Sequence, residues 1–142
     1  MAPESISFQF QHPSFRLRHR RSVRSWLQAC AQAEGATLSS LNFLFCDDEH
    51  MLAANRQFLS HDYLTDILTF PTQSSKGLSG DIMISVDRTR DNAKQLSLKP
   101  LDELHRVMSH GILHLIGYDD HTSEQRTRMR EQEEIWLARR TF

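Results

Sequence analysis

Two histidines four residues apart carry the clearest chemistry in this chain. The run from His110 to His121 reads HGILHLIGYDDH. On a helix, His110 and His114 would share one face about 6 Å apart, which suits two imidazole nitrogens that bind one metal ion. Gly117 can adopt a positive φ, so the chain can leave the helix there and bring Asp120 or His121 back as a third ligand.

A site of this kind would have three protein ligands and one open coordination position. An open position on zinc holds a water molecule that the ion makes acidic enough to act as a nucleophile. The pattern therefore predicts hydrolytic catalysis rather than a structural metal, with one Zn²⁺ per chain. A helical histidine pair by itself is more often a surface or core pair. The glycine and the ligand types that follow it here favour metal binding.

The residue after the first histidine argues against a peptidase. Zinc peptidases with a helical histidine pair place a glutamate there as general base, whereas this chain has Gly111. A glycine inside a helix costs about 1 kcal/mol relative to alanine, so it indicates a close approach. We expect a bulky substrate or neighbouring backbone to lie over the metal.

Hydrophobic spacing predicts that the histidine pair lies on a buried central helix. Glu103 shares the histidine face but lies two helical turns before His110, too far to coordinate the same ion. The apolar stripe of this helix consists of Leu101, Leu104, Met108, Ile112 and Leu115.

The other segments predict alternating strands and helices and an α+β (mixed α/β) fold. We expect a small four-stranded mixed sheet packed with about five helices, and the metal site at the end of the central helix. Strands are predicted at 6–11, 41–46, 66–70 and 81–86, the last two as an antiparallel pair. Helices are predicted at 14–34, 47–58, 87–96 and 100–116, and from Thr122 onward behind a capping box.

Length and composition indicate one domain over residues 1–142. The chain is 39% hydrophobic and has no linker or internal repeat that would divide it. It has no apolar run long enough to span a membrane and no signal peptide at its start, so we expect a cytoplasmic protein. Cys30 and Cys46 lie in apolar patterns without metal-type spacing, which favours free thiols in a reducing compartment over a disulfide.

The formal net charge of −1 does not indicate a nucleic-acid-binding protein, but the charge is unevenly distributed. One short segment concentrates basic residues. Such a cluster can contact phosphates, and it can equally be the solvated face of a helix. Its members are Arg16, Arg18, Arg20, Arg21 and Arg24.

Three motifs together resemble the YbeY family of metal-dependent endoribonucleases. They are HGxLHLxGYD from His110, DxxTDILTFP from Asp62, and the triplet from Gly80 to Ile82, in that order and at compatible distances. The resemblance covers nearly the whole chain and implies a compact domain with a mixed sheet and a zinc site. It also implies cleavage of single-stranded RNA, a role in rRNA 3′-end maturation and ribosome quality control, and rRNA and ribosomal particles as partners.

Two departures from the family pattern concern the site. The family usually has a histidine three residues after the motif glycine, and here Asp120 stands there with His121 one residue later. Aspartate is a competent ligand and the turn has little slack, so we expect Asp120 as the third ligand and His121 as the alternative. The arginine that the family generally places three residues before the position of Asp62 is replaced by Leu59.

The predicted catalytic residues follow from these departures. Arg56 and His61 lie near Leu59 and could replace the phosphate-contacting arginine. Asp66 begins a strand and could contact the substrate or support the ligands, although it could equally be plain strand-entry chemistry. Two other function classes stay open: a metallohydrolase of another substrate, against which Gly111 argues, and a ribosome-assembly factor with a structural metal and little catalysis.

Overall fold

The fold is an α+β sandwich in which helices cover both faces of one small mixed sheet. The computed structural model describes residues 5–142. The elements are β1 (Ile6–Gln11), α1 (Arg20–Ala33), β2 (Leu38–Cys46), α2 (Asp48–Leu59), β3 (Ile67–Thr72), β4 (Leu78–Ser85), α3 (Val86–Gln95), α4 (Pro100–Ile116) and α5 (Ser123–Ala138). The predicted fold class is confirmed.

The sheet has the strand order β1-β2-β4-β3. β1 pairs with β2 and β2 with β4 in parallel, whereas β3 pairs with β4 in antiparallel orientation, as predicted. β3 is an edge strand, which tolerates Pro71 because only one side of the strand needs ladder hydrogen bonds. β2 and β4 each begin three residues earlier than predicted, since Leu38 and Leu78 extend the pairing between them.

Side chains of β2 alternate between two hydrophobic clusters, as the two-residue period of a strand requires. Phe43 and Phe45 belong to the larger cluster, which includes side chains of α1, α4 and α5. Cys46 belongs to a smaller cluster with Met51 and Ala54 of α2. The helices α1 and α4 therefore cover one face of the sheet, and α2 covers the other.

Helix α4 is central, as predicted, because it contacts α3, α5, β3 and β4. Leu104, Met108 and Ile112 are buried along it, whereas Leu101 is 39% exposed. The prediction that Leu101 belongs to the buried stripe is wrong, since it lies in the first turn beside a surface cleft.

Gly111 marks the closest approach of α4 to the sheet. A Cβ atom there would lie 3.0 Å from Ile67 Cδ1 and 3.0 Å from Ile82 Cγ2. The close approach that the glycine predicts is therefore made by side chains of the sheet. The missing side chain makes room for two isoleucines of β3 and β4.

Helix α1 begins six residues later than predicted, at Arg20. The segment before it forms a turn in which His12 Nδ1 accepts hydrogen bonds from the backbone N–H groups of Ser14 and Phe15, at 3.2 and 3.1 Å. Both cysteines are buried and free, as predicted. In residues 5–142, no helix is long and apolar enough to cross a membrane.

Candidate functional site

The C-terminal half of α4, the loop that follows it and the start of β3 enclose a cleft of about 440 Å³. Its walls come from segments far apart in the sequence, which the packing of α4 against β3 brings together. The lining residues are Thr65, Asp66, Ile67, Leu68, Thr69, Arg106, Val107, His110, His114, Asp120 and His121.

All of the predicted metal ligands line this cleft, as does Asp66. The structure thus brings together the helical histidine pair, both alternatives for the third ligand and one of the three predicted catalytic residues. Asp120 and His121 reach it because Gly117 leaves α4 with a φ of 130° and the loop turns back over the helix end.

The other two predicted catalytic residues, Arg56 and His61, do not line the cleft. Arg56 forms an ion pair with Asp62 at the exposed end of α2. His61 stacks on Tyr63, with ring centroids 5.0 Å apart, and its Nδ1 lies 2.9 Å from the Tyr63 hydroxyl.

His110 is oriented by a buried carboxylate. Its Nδ1 donates a hydrogen bond to Glu133 Oε2 on α5, at 2.8 Å. A neutral imidazole protonated at Nδ1 carries its lone pair on Nε2, so this contact prepares Nε2 to bind a metal.

His114 is oriented in the same way by a backbone carbonyl group. Its Nδ1 donates to the carbonyl oxygen of Tyr118, at 3.1 Å. The Tyr118 hydroxyl in turn donates to Glu34 Oε2 at 2.9 Å, which ties the loop to the end of α1. Nε2 of His114 is therefore also the atom with the free lone pair.

Of the two alternatives for the third ligand, the structure gives a distance for Asp120. Its Oδ2 lies 3.4 Å from Nε2 of His110. Two donors bound to one tetrahedral zinc ion at about 2.0–2.2 Å are themselves about 3.4 Å apart. Across residues 5–142, no three His, Cys, Asp or Glu side chains are grouped so that they could hold a metal ion as they stand. The fit thus rests on the donor types and on this pairwise distance.

A buried charge network lies behind His110. Arg106 donates to both carboxylate oxygens of Glu103, at 2.7 Å each, and to Glu133 Oε1 at 3.0 Å. The side chains of Glu103 and Glu133 are 0% and 1% exposed. Burial alone would lower the pKa of Arg106, but these two carboxylates raise it above its ordinary value. Glu133 is therefore shared between a permanent cation and a candidate metal ligand.

Two hydrogen bonds hold Asp66 at the start of β3. Its Oδ2 accepts from Asn92 Nδ2 at 3.2 Å, and its carbonyl oxygen accepts from the N–H of Ser85 at 2.9 Å. Burial raises the pKa of its carboxyl group, although the nearby charges of Arg106 and His110 oppose the shift.

Sequence reasoning missed Glu133 and Arg106. The available signal was the position of Glu133 in α5: Met129, Glu133 and Trp136 have the spacing of one buried helix face. An acid within such a face predicts a buried carboxylate that needs a partner.

Residues 6–140 match the family model of endoribonuclease YbeY. This chain belongs to the YbeY family. It is 45% identical to the endoribonuclease YbeY of Cytophaga hutchinsonii, with both chains covered in full. It is 43% identical to that of Porphyromonas gingivalis, over 94% of this chain and 88% of the relative. The resemblance seen in the sequence motifs is confirmed.

The fold of this YbeY-family chain is also similar to the solution structure of TM1509 from Thermotoga maritima. The TM-score is 0.64 at 23% identity, over 92% of this chain and 86% of that chain. At this identity the similarity supports the fold, while the family membership rests on the sequence matches.

Proposed function

We propose that this chain is a zinc-dependent endoribonuclease that hydrolyses single-stranded RNA in rRNA 3′-end maturation and ribosome quality control. The observation that carries the proposal is the pair of imidazoles, each held through Nδ1, in a cleft of a YbeY-family chain. The endoribonuclease activity named for its relatives supports the substrate class.

His110, His114 and Asp120 would hold the ion, with His121 as the alternative to Asp120. When bound, zinc supplies Lewis acidity, which polarises a phosphate and lowers the pKa of a water ligand. Glu133 and the Tyr118 carbonyl fix the two imidazole rings. Asp66, which lines the cleft and accepts from Asn92 through Oδ2, would accept a further hydrogen bond from water or RNA.

Single-stranded RNA fits this site better than duplex RNA. His114 and His121 are exposed at the end of a helix, where a splayed phosphate can approach them. In an A-form duplex the strand is held in place and side chains cannot enter the deep major groove. Ribosomal particles, the source of such RNA, would be the partners in the cytoplasm.

A second candidate function is a ribosome-assembly factor with a structural metal. Arg106, the arginine that lines the cleft, is already bonded to Glu103 and Glu133 and is therefore not available to contact a phosphate. This favours a role without catalysis. Leu59, which replaces the family arginine, is 43% exposed and does not line the cleft.

RNA cleavage by the purified chain tests the proposal. We expect zinc-loaded protein to cut single-stranded rRNA segments faster than the same segments annealed to their complements, and chelation to abolish cutting. His114→Ala should remain folded and inactive, whereas the exposed His50→Ala on α2 should retain activity. Metal-loaded protein that leaves these RNAs intact, alone and with ribosomal particles, would favour the assembly factor.

A further inference from the structure

A second cleft, of about 510 Å³, lies at the N-terminal end of α4. Its rim carries four exposed cationic side chains, and its floor is apolar. The cations are Arg16, Arg18, Arg90 and Lys99, and the apolar side chains include Phe15, Leu17, Val86, Pro100, Leu101 and Leu104.

This cleft concentrates positive charge in a chain whose formal net charge is −1. No aspartate or glutamate of the described residues lines it. The acids nearest to its cations in the sequence bond elsewhere: Asp87 to His12, Asp91 to Arg88 and Asp102 to Arg140. The positive charge of the rim is therefore available to an anionic ligand.

Tertiary structure assembles this cationic cleft from three separate segments. Arg16 and Arg18 come from the turn before α1, Arg90 from α3 and Lys99 from the start of α4. The guanidinium of Arg90 lies 5.8 Å from the centre of the Phe15 ring, and Arg16 donates to the Phe15 carbonyl at 2.6 Å. These contacts hold two of the cations along the rim.

Two other members of the arginine cluster pack on β1. Arg20 lies over the ring of Phe10 and Arg24 over the ring of Phe8, each 4.9 Å from the centroid. Neither lines the cationic cleft. Arg16 takes part in both surfaces, because its guanidinium also lies 5.4 Å from the centre of the Phe10 ring.

We propose that the cationic cleft binds the phosphate backbone of single-stranded RNA outside the metal-site cleft. The inference rests on the proposed function, because it extends the path of the same substrate. Cations beside an aromatic and apolar floor are the composition of surfaces that bind single strands without sequence preference. Leu101 and His110 are nine residues apart on α4, about 14 Å along its axis and about half a turn apart around it, so a strand that occupies both clefts would have to pass around the helix.

The salt dependence of binding tests this assignment. The probe is a fluorescent, 20-nucleotide, single-stranded 2′-O-methyl RNA, with its integrity checked on a denaturing gel. Each lost phosphate contact lowers the slope of log K against log salt by about 0.7 for a single strand. We expect Arg18→Gln/Lys99→Gln to lower the slope by about 1.4, which is about 25-fold weaker binding at 0.1 M salt if the affinities are equal at 1 M.

The matched control is Lys76→Gln/Lys94→Gln, which removes the same charge from exposed positions outside the cleft and should leave the slope within about 0.3 of the parent slope. An unchanged slope in Arg18→Gln/Lys99→Gln would overturn the proposal. Poly-glutamate serves as a second probe. If Arg18→Gln/Lys99→Gln loses affinity for poly-glutamate while its RNA slope is unchanged, the cationic cleft binds an acidic polypeptide and the proposal is overturned.

Cleavage assays separate this proposal from the proposed function. Both double variants should cut a short oligoribonucleotide at the parent rate, because neither changes the metal-site cleft. A lowered slope in a chain that cuts no RNA would support the cationic cleft while refuting the nuclease. If the parent chain cuts RNA and Arg18→Gln/Lys99→Gln has the parent slope, the nuclease is supported and the cationic cleft is refuted.

Discussion

Glu133→Gln should weaken zinc binding without removing a ligand. The carboxylate of Glu133 is 1% exposed and accepts from two donors, Arg106 Nη1 at 3.0 Å and His110 Nδ1 at 2.8 Å. Glutamine has nearly the same shape but only one acceptor oxygen, and its other terminal atom is an NH₂ donor. One of the two donors must therefore face an N–H₂ group.

His110 is the partner that can yield. Arg106 cannot lose its proton, whereas the imidazole can move its proton from Nδ1 to Nε2 and accept from the glutamine. That tautomer blocks the Nε2 lone pair, which must be restored before the metal can bind. Loss of such a supporting hydrogen bond typically lowers metal affinity about 10- to 100-fold, which corresponds to about 1.4–2.7 kcal/mol of binding free energy.

Competition against a colorimetric zinc chelator measures this affinity, and the ¹⁵N chemical shifts of the metal-free protein report the His110 tautomer. The matched control is Glu134→Gln, which changes the same functional group at the exposed neighbouring position and should bind zinc like the parent chain. A folded Glu133→Gln variant with the parent affinity and the parent tautomer would refute the reasoning.

Three further predictions concern the third ligand, a buried histidine and the helix–sheet contact. Asp120→Ala should weaken zinc binding at least about tenfold and His121→Ala far less; the opposite order in the same competition assay would make His121 the ligand. Burial and the charge of Arg140 lower the pKa of His105 to about 4. The unfolded chain therefore takes up this proton first, and urea unfolding should show about 3 kcal/mol of stability lost as the pH falls from about 6.5 to 4. His105→Phe should lose less over the same range, and parallel curves for the two proteins would contradict this. Gly111→Ala places a methyl group 3.0 Å from Ile67 and Ile82, which should cost about 1–3 kcal/mol against about 1 kcal/mol of gained helix propensity; a variant with a higher urea midpoint than the parent would show that the isoleucines can move.

Some departures from the sequence-based expectations have one physical origin. Helix α1 starts late because the His12 ring, rather than a helical turn, takes the N–H groups of Ser14 and Phe15. Gly111 faces isoleucine side chains rather than substrate. Both features depend on which groups a neighbouring segment offers. The periodicity of one segment cannot predict the groups of another.

The sequence by itself determined the local features of the site. Proline at the start and glycine at the end delimit α4 at the predicted residues, Pro100 and Ile116. Thr122 and Gln125 form the predicted capping box at the start of α5. The four-residue spacing of His110 and His114 sets their common face. Each of these depends on interactions within about one helical turn, so the order of residues is sufficient to specify it.

Only the tertiary structure decided which distant groups meet these residues. It brought Glu133 of α5 to His110 and placed Asp66 rather than Arg56 or His61 in the metal-site cleft. It also put Arg16 and Arg18, but not Arg20 or Arg24, at the cationic cleft. These contacts join residues separated by tens of positions in the chain. They exist because α4 is packed between the sheet and α5, and burial of the apolar faces, not the spacing of the polar residues, determines that packing.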